Sequence, residues 1–201
     1  MKDNTKNILV IALLVGIVAM TVVYAALSQT LNISGSAQVQ GRDSTWNIHF
    51  AHLSTLTNEV TTHGYATCAA TSVTLDSTTS VSLPQVTLKA PGDKVVFKIK
   101  VINEGDVTGV LSSSGSVSKG TITYNSGETL TSSEKQAFEN AIKVSMKYSD
   151  GVISAGDTLS KNQSKEIEIT VEFENTQATQ KLPSAGANIN GITASLVYTQ
   201  Q

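Results

Sequence analysis

The spacing of apolar and polar positions changes its rhythm once, near residue 27. Residues 8–27 read ILVIALLVGIVAMTVVYAAL, a run without a single charge. From there the chain alternates, with Leu27, Leu31, Ile33, Ala37 and Val39 on odd positions and Ser28, Thr30, Asn32, Ser34 and Gln38 on even ones. A bilayer core of about 30 Å takes roughly 20 apolar helical residues. Strict alternation instead marks a strand with one buried face. Residues 1–27 therefore predict a signal peptide or an N-terminal membrane anchor, and residues 28–201 an extracellular β domain. Lys2 and Lys6 precede the run and no basic residue follows it before Arg42, which places the N-terminus in the cytoplasm and the domain outside. Val23-Tyr24-Ala25 suits signal peptidase, so cleavage before Ala26 and retention as an anchor both stay open.

Further along, Trp46, Ile48 and Phe50 share one strand face. Residues 72–75 and 80–83 are short strand candidates. The clearest strand covers 95–101, with Val95, Phe97, Ile99 and Val101 on one side and Val96, Lys98 and Lys100 on the other. Turn compositions at 90–93 and 103–106 bound it. A strand is predicted over 107–111, then a flexible stretch over 112–118. Thr131 and Glu134 have capping-box spacing, and Ala137, Phe138, Ala141 and Ile142 lie on one helical face. Alternation resumes over 142–148. It returns at Ile167, Ile169, Val171 and Phe173, which are set against Glu166, Glu168, Thr170 and Glu172, and again at Ile192, Ala194, Leu196 and Tyr198. Residues 51–70 are weakly patterned and predict a surface loop.

The lysine face of 95–101 and the glutamate face of 166–173 predict neighbours in one sheet, with Phe97, Ile99, Ile169 and Val171 in a shared core. About eight or nine short strands and one short helix predict an all-β fold, a β-sandwich of jelly-roll or immunoglobulin-like kind.

Composition narrows the partners. A net charge of −2 with no basic cluster argues against nucleic acid. Cys68 is the only cysteine, so no internal disulfide forms and stability must come from sheet packing. It reads as a small buried apolar residue.

His49 and His52, three apart, with His63 and Cys68 beyond, are the residues from which a zinc site would be built. They lack a second tight pair and a carboxylate at motif spacing, so they read as solvent-facing histidines without metal. Glu104, Asp106, Asp150 and Asp157 lie in turns where calcium could bind, yet none follows EF-hand spacing. They read as turn residues. Leu182-Pro183-Ser184-Ala185-Gly186 has the look of a sorting signal, but polar strand follows it and it reads as a loop. With no HExxH and no GxSxG, the chain reads as a non-enzyme without cofactors or catalytic residues.

Residues 88–105, which run from Pro91-Gly92-Asp93 through the alternating strand to Asn103-Glu104-Gly105, carry a resemblance. Together with Tyr24-Ala25-Ala26-Leu27-Ser28, Gly156-Asp157-Thr158-Leu159 and residues 165–173, this segment resembles the camelysin/TasA-type secreted bacterial proteins of biofilm fibres. The resemblance spans residues 20–110 and 150–198 in outline. It implies a jelly-roll-like sandwich, export, and assembly into fibres or association with the wall. Some members are described as metalloproteases, an activity for which this chain offers no HExxH helix.

The function expected is therefore an exported surface protein that forms fibres or matrix with its own copies. The alternatives are a membrane-anchored adhesin with a cell-wall or host-surface ligand and, third, a secreted metalloprotease. The segment 27–39, with Leu27, Leu31, Ile33 and Val39, is a possible assembly strand able to complete a neighbour's sheet. The preferred reading is that it pairs within its own domain, since consecutive elements usually pack together.

Overall fold

The alternation at 95–101 and 166–173 becomes two ten-residue strands, β9 (Lys94–Asn103) and β15 (Ser164–Phe173), lying antiparallel side by side. They belong to a computed structural model that describes residues 28–32, 35–36, 45–54, 59–77, 80–174, 181–184 and 187–201. The run 8–27, together with Leu27, Ile33 and Val39, lies outside the described residues. Among the described residues, no helix is long and apolar enough to cross a membrane.

Phe97 stands opposite Ile169, Ile99 opposite Ile167, and Lys98 opposite Glu168. The neighbours read from the two charged faces are thus neighbours in the fold. β13 (Ile142–Tyr148) flanks β15 on its other side. β3 (Ile48–Ala51) and β4 (Val60–His63) lie end to end along the free edge of β9, completing five strands.

A six-stranded sheet runs β14 (Thr158–Leu159), β10 (Gly109–Leu111), β17 (Thr193–Gln200), β1 (Ser28–Asn32), β2 (Gly35–Ser36), with β11 (Ser116–Ser118) also on β17. A four-stranded sheet runs β12 (Thr121–Tyr124), β16 (Ala187–Asn190), β8 (Val86–Thr87), β5 (Thr67–Cys68). β6 (Thr74–Ser77) and β7 (Ser80–Ser82) form a hairpin. The fold is all-β, with one helix, α1 (Ser132–Ala141), among the described residues.

One core joins the sheets. Phe97, Ile99, Ile167, Ile169, Val171 and Phe173 are fully buried from the first sheet, and Leu111, Leu159, Leu196 and Tyr198 from the second. Burying a side chain of this size contributes about 1.5–3 kcal/mol. The Tyr148 and Tyr198 hydroxyls meet across the two sheets at 3.3 Å. Phe138 of α1 sets its ring edge-on to Phe173 at 5.1 Å.

Thr131 caps that helix as its spacing predicts. Glu134 Oε2 accepts from Thr131 N at 2.8 Å, and Glu134 N donates to Thr131 Oγ1 at 3.4 Å. Ala137, however, is exposed, and Phe138, Ala141 and the capping Ile142 alone form the buried side.

Three expectations are corrected. The described part of 51–70 is not one loop, for it carries β4 and β5. The 112–118 stretch ends in β11. Seventeen strands among the described residues replace eight or nine, because elements of two to four residues are too short to show a period.

Candidate functional site

Asp93 and Asn103 sit at the two ends of β9 with the same parity as Val95, Phe97, Ile99 and Val101, so their side chains turn inward. Asp93 is 2% exposed and Asn103 fully buried. Asp93 Oδ1 accepts from Tyr65 N at 2.7 Å, and its Oδ2 accepts from Lys89 N at 2.8 Å and Ala90 N at 2.9 Å. Asn103 Nδ2 donates to the Val107 and Leu159 carbonyls, both at 2.8 Å, while its Oδ1 accepts from Gly105 N at 2.9 Å. A Cβ on Gly105 would lie 2.2 Å from the Thr45 carbonyl, so only glycine lets β3 begin there. The Pro-Gly-Asp and Asn-x-Gly signals thus tie loops to β9 by satisfying backbone groups that burial strips of water.

Glu59 does the same between β3 and β4. Fully buried, it accepts from Leu53 N at 3.0 Å and Val73 N at 3.3 Å, and lies 2.8 Å from His52 Nδ1.

One turn design occurs three times, at 90–93, 154–157 and 160–163. Its third residue has positive φ: Gly92 at 92°, Gly156 at 90° and Asn162 at 61°. Its fourth N–H donates to the first carbonyl, at 3.0, 3.1 and 3.0 Å, and its fourth side chain accepts from the first N–H. The third N–H and fourth carbonyl then grip both backbone groups of one facing residue, which is Phe173, Leu111 and Asn103 in turn. Asp157, weighed above for calcium, serves as this fourth residue.

The histidines do not come together. His49 Nδ1 lies 3.1 Å from Asn47 Oδ1 and its Nε2 3.7 Å from Glu104, His52 is held by Glu59, and His63 is exposed on β4. His49 is therefore largely covered, at 13% side-chain exposure, while His52 stays 40% exposed beside Glu59. Among the described residues no three His, Cys, Asp or Glu side chains gather as metal ligands. Asp106 pairs with Lys161, and Asp150 is exposed in its turn. Cys68 is half-buried against the core, and burial pushes its thiol up. A shallow groove of about 340 Å³ lies among Val117, Lys119, Asn140, Ile142, Lys143 and Val144.

Two sheet faces carry the surface chemistry. On the five-stranded sheet, Lys98 Nζ lies 3.0 Å from both Glu166 and Glu168, and Lys147 Nζ lies 3.1 Å from Glu168. Hydrogen bonds from Lys98 hold Glu168 below the usual carboxylate range. Ser149 and then Lys98 do so for Glu166, and the two carboxylates raise Lys98.

On the four-stranded sheet Val86, Ala187 and Ile189 point inward. Thr67, Gln85, Thr87, Thr121, Thr123, Asn188 and Asn190 therefore face outward, and none is charged. Thr87 Oγ1 donates to Asn188 Oδ1 at 3.0 Å and Gln85 Nε2 to Asn190 Oδ1 at 2.7 Å. Asn188 Nδ2 donates to Asn125 Oδ1 at 3.1 Å and Asn190 Nδ2 to Thr123 Oγ1 at 3.3 Å. Sequence reading missed this face. The available signal was the alternation of Thr and Asn with Ile and Ala in 121–124 and 187–190. Compared with family models, with curated proteins and with solved structures, the chain matches none.

Proposed function

We propose that this chain is an exported cell-surface structural protein whose domain assembles with its own copies into fibres or matrix. The observation that carries this reading is the direct join between the uncharged run 8–27 and β1, which opens at Ser28 and pairs with β17 inside the six-stranded sheet. A segment of that length and polarity directs export. Without a linker, the folded body stays at the membrane surface if the segment is retained, and begins with a strand if it is removed. The facing sheets over one core support a β-sandwich of jelly-roll-like kind.

Assembly would use strand edges. β1 pairs within its own chain in this structure, Leu31 opposite Leu196, and the wider segment with Leu27, Ile33 and Val39 is the proposed strand for exchange between copies. The reading includes no catalytic role, no cofactor and no nucleic acid. A second reading, an anchored adhesin, is favoured by the uncharged outer face of the four-stranded sheet.

The test labels intact cells, wall permeabilised, with a membrane-impermeant amine reagent and images the surface by electron microscopy. Lys100 should be modified without lysis, and surface filaments should disappear in a deletion strain. Labelling only after lysis would exclude export, whereas labelled cells without filaments would leave the adhesin as the better reading.

A further inference from the structure

We propose that the outer face of the four-stranded sheet is a binding platform for a neutral polysaccharide. Its seven outward side chains are hydroxyls and carboxamides, groups that both donate and accept hydrogen bonds, as sugar hydroxyls do. Among the described residues none of the seven is charged; Lys89 stands at the margin next to Tyr65, the backbone N–H groups of both donating to Asp93. A second protein is a poor fit. Interface cores draw on aromatic and apolar side chains, and this face presents none between its outer strands.

The platform is preorganised. Asn188 and Asn190 each accept one cross-strand bond and donate another, so their amides are held in fixed rotamers before any ligand arrives. Each amide nitrogen carries two hydrogens, and each Asn spends one in the cross-strand bond. That leaves one amide hydrogen on each of Asn188 and Asn190, two residues apart along β16. Binding to amides held in this way costs little side-chain entropy, which is what allows a surface of modest hydrogen bonds to retain a polymer.

Tyr65 is the second, independent observation. It is 74% exposed in the turn before β5, two residues ahead of Thr67 and so of the same parity. Its backbone is fixed by the hydrogen bond to buried Asp93. A large exposed ring on a rigid turn has no part in the core, but it offers the flat apolar surface on which the C–H face of a pyranose packs. Tyr65 stands at the β5 margin of the face, so a polymer that spans from the amides of β16 across β8 and β5 would meet the ring at its end. The inference stands whether or not the protein assembles into fibres.

The test is retention of the full-length chain, in a nonionic detergent that has no sugar head group, on beads of cellulose, chitin, cross-linked dextran and, as polyanion, alginate. Retention is expected on at least one neutral polymer and not on alginate. Thr123→Glu, which sets a charge among the amides, and Tyr65→Ala should each weaken it roughly tenfold, the effect of one or two lost net hydrogen bonds. Both positions are exposed, and circular dichroism checks each variant. Tyr65→Ala, outside every strand, carries the test alone if Thr123→Glu disturbs the sheet. No retention on any neutral polymer, equal retention on alginate, or undiminished binding by the folded variants would overturn the proposal. So would concentration-dependent dimers that Thr123→Glu disperses while no polymer binds, since the face would then join two copies.

Discussion

The five-stranded and four-stranded sheets cover one core yet show solvent opposite chemistries. Lys98, Lys147, Glu166 and Glu168 knit the first with ion pairs, whereas Thr87, Gln85, Asn188 and Asn190 knit the second with neutral hydrogen bonds. Exposed pairs of the first kind contribute about 0.2–1 kcal/mol each, so their role is to favour one register over others. Lys143 and Lys147, exposed on the edge strand β13, also discourage further strands from adding there. The neutral sheet has no such guard. Charge therefore marks one outer face of the core, and neutral hydrogen bonding the other.

The largest break to that contrast comes from beneath both sheets. Phe97→Ala should cost roughly 3–5 kcal/mol, the usual penalty for removing a buried ring, and should destabilise the two sheets together. A urea titration followed by tryptophan fluorescence and circular dichroism should show one coincident transition at lower urea. Two separated transitions would mean the sheets do not share a core.

Two asparagines sharpen the comparison at intermediate size. Asn103→Ala strands the buried Leu159 carbonyl, the part-buried Val107 carbonyl and the Gly105 N–H, and should cost about 3 kcal/mol by the penalty for unsatisfied buried groups. Asn188→Ala removes bonds of the same chemistry on the open face, where water replaces them, and should cost about 1 kcal/mol or less. Similar losses in both variants would show that Asn188 is not at a solvated surface.

The smallest effect separates the faces by pH. Glu166 and Glu168 titrate below the ordinary value of 4.5 in the folded protein. The stability they add is thus present above pH 4.5 and is lost as pH falls through their lowered folded values. Lys98→Ala should cost under about 1 kcal/mol at neutral pH and nothing in strong acid. The penalty of Asn188→Ala should not change over that range. Urea midpoints at pH 7 and pH 3 measure both, and an acid-independent loss for Lys98→Ala would show that its stem, rather than its charge, matters.

How much was legible follows from strand length and from what each face must do. Ten-residue strands with core on one side and opposite charges on the other announce themselves, which is why β9 beside β15 could be read from Phe97, Lys98, Glu168 and Ile169. The capping box at Thr131 was legible for the same reason, being local. β4, β5, β12 and β16 were not. A Thr- and Asn-rich strand of two to four residues looks like a loop until its partner is known, and no hydropathy rule supplies the partner. Asp93 and Asn103 read as ordinary turn residues because composition alone does not say which way they point. Their parity with Val95 and Val101 did, and it was the signal left unused. His49 and His52 stood close in sequence, but the turn between β3 and β4 hands His52 to Glu59, a carboxylate seven residues on.

The pairing of β1 with β17 also sets a schedule. Ser28 lies opposite Thr199 and Asn32 opposite Ser195, so the first described strand and the last are neighbours in the six-stranded sheet. Synthesis from the N-terminus delivers β1 first and β17 after every other described strand. β10, β11 and β1 all dock on that late arrival. The five-stranded sheet, complete once Phe173 has emerged, can close earlier, and the six-stranded sheet cannot. Through that interval β1 has only the short β2 beside it, and its five-residue pairing with β17 comes last.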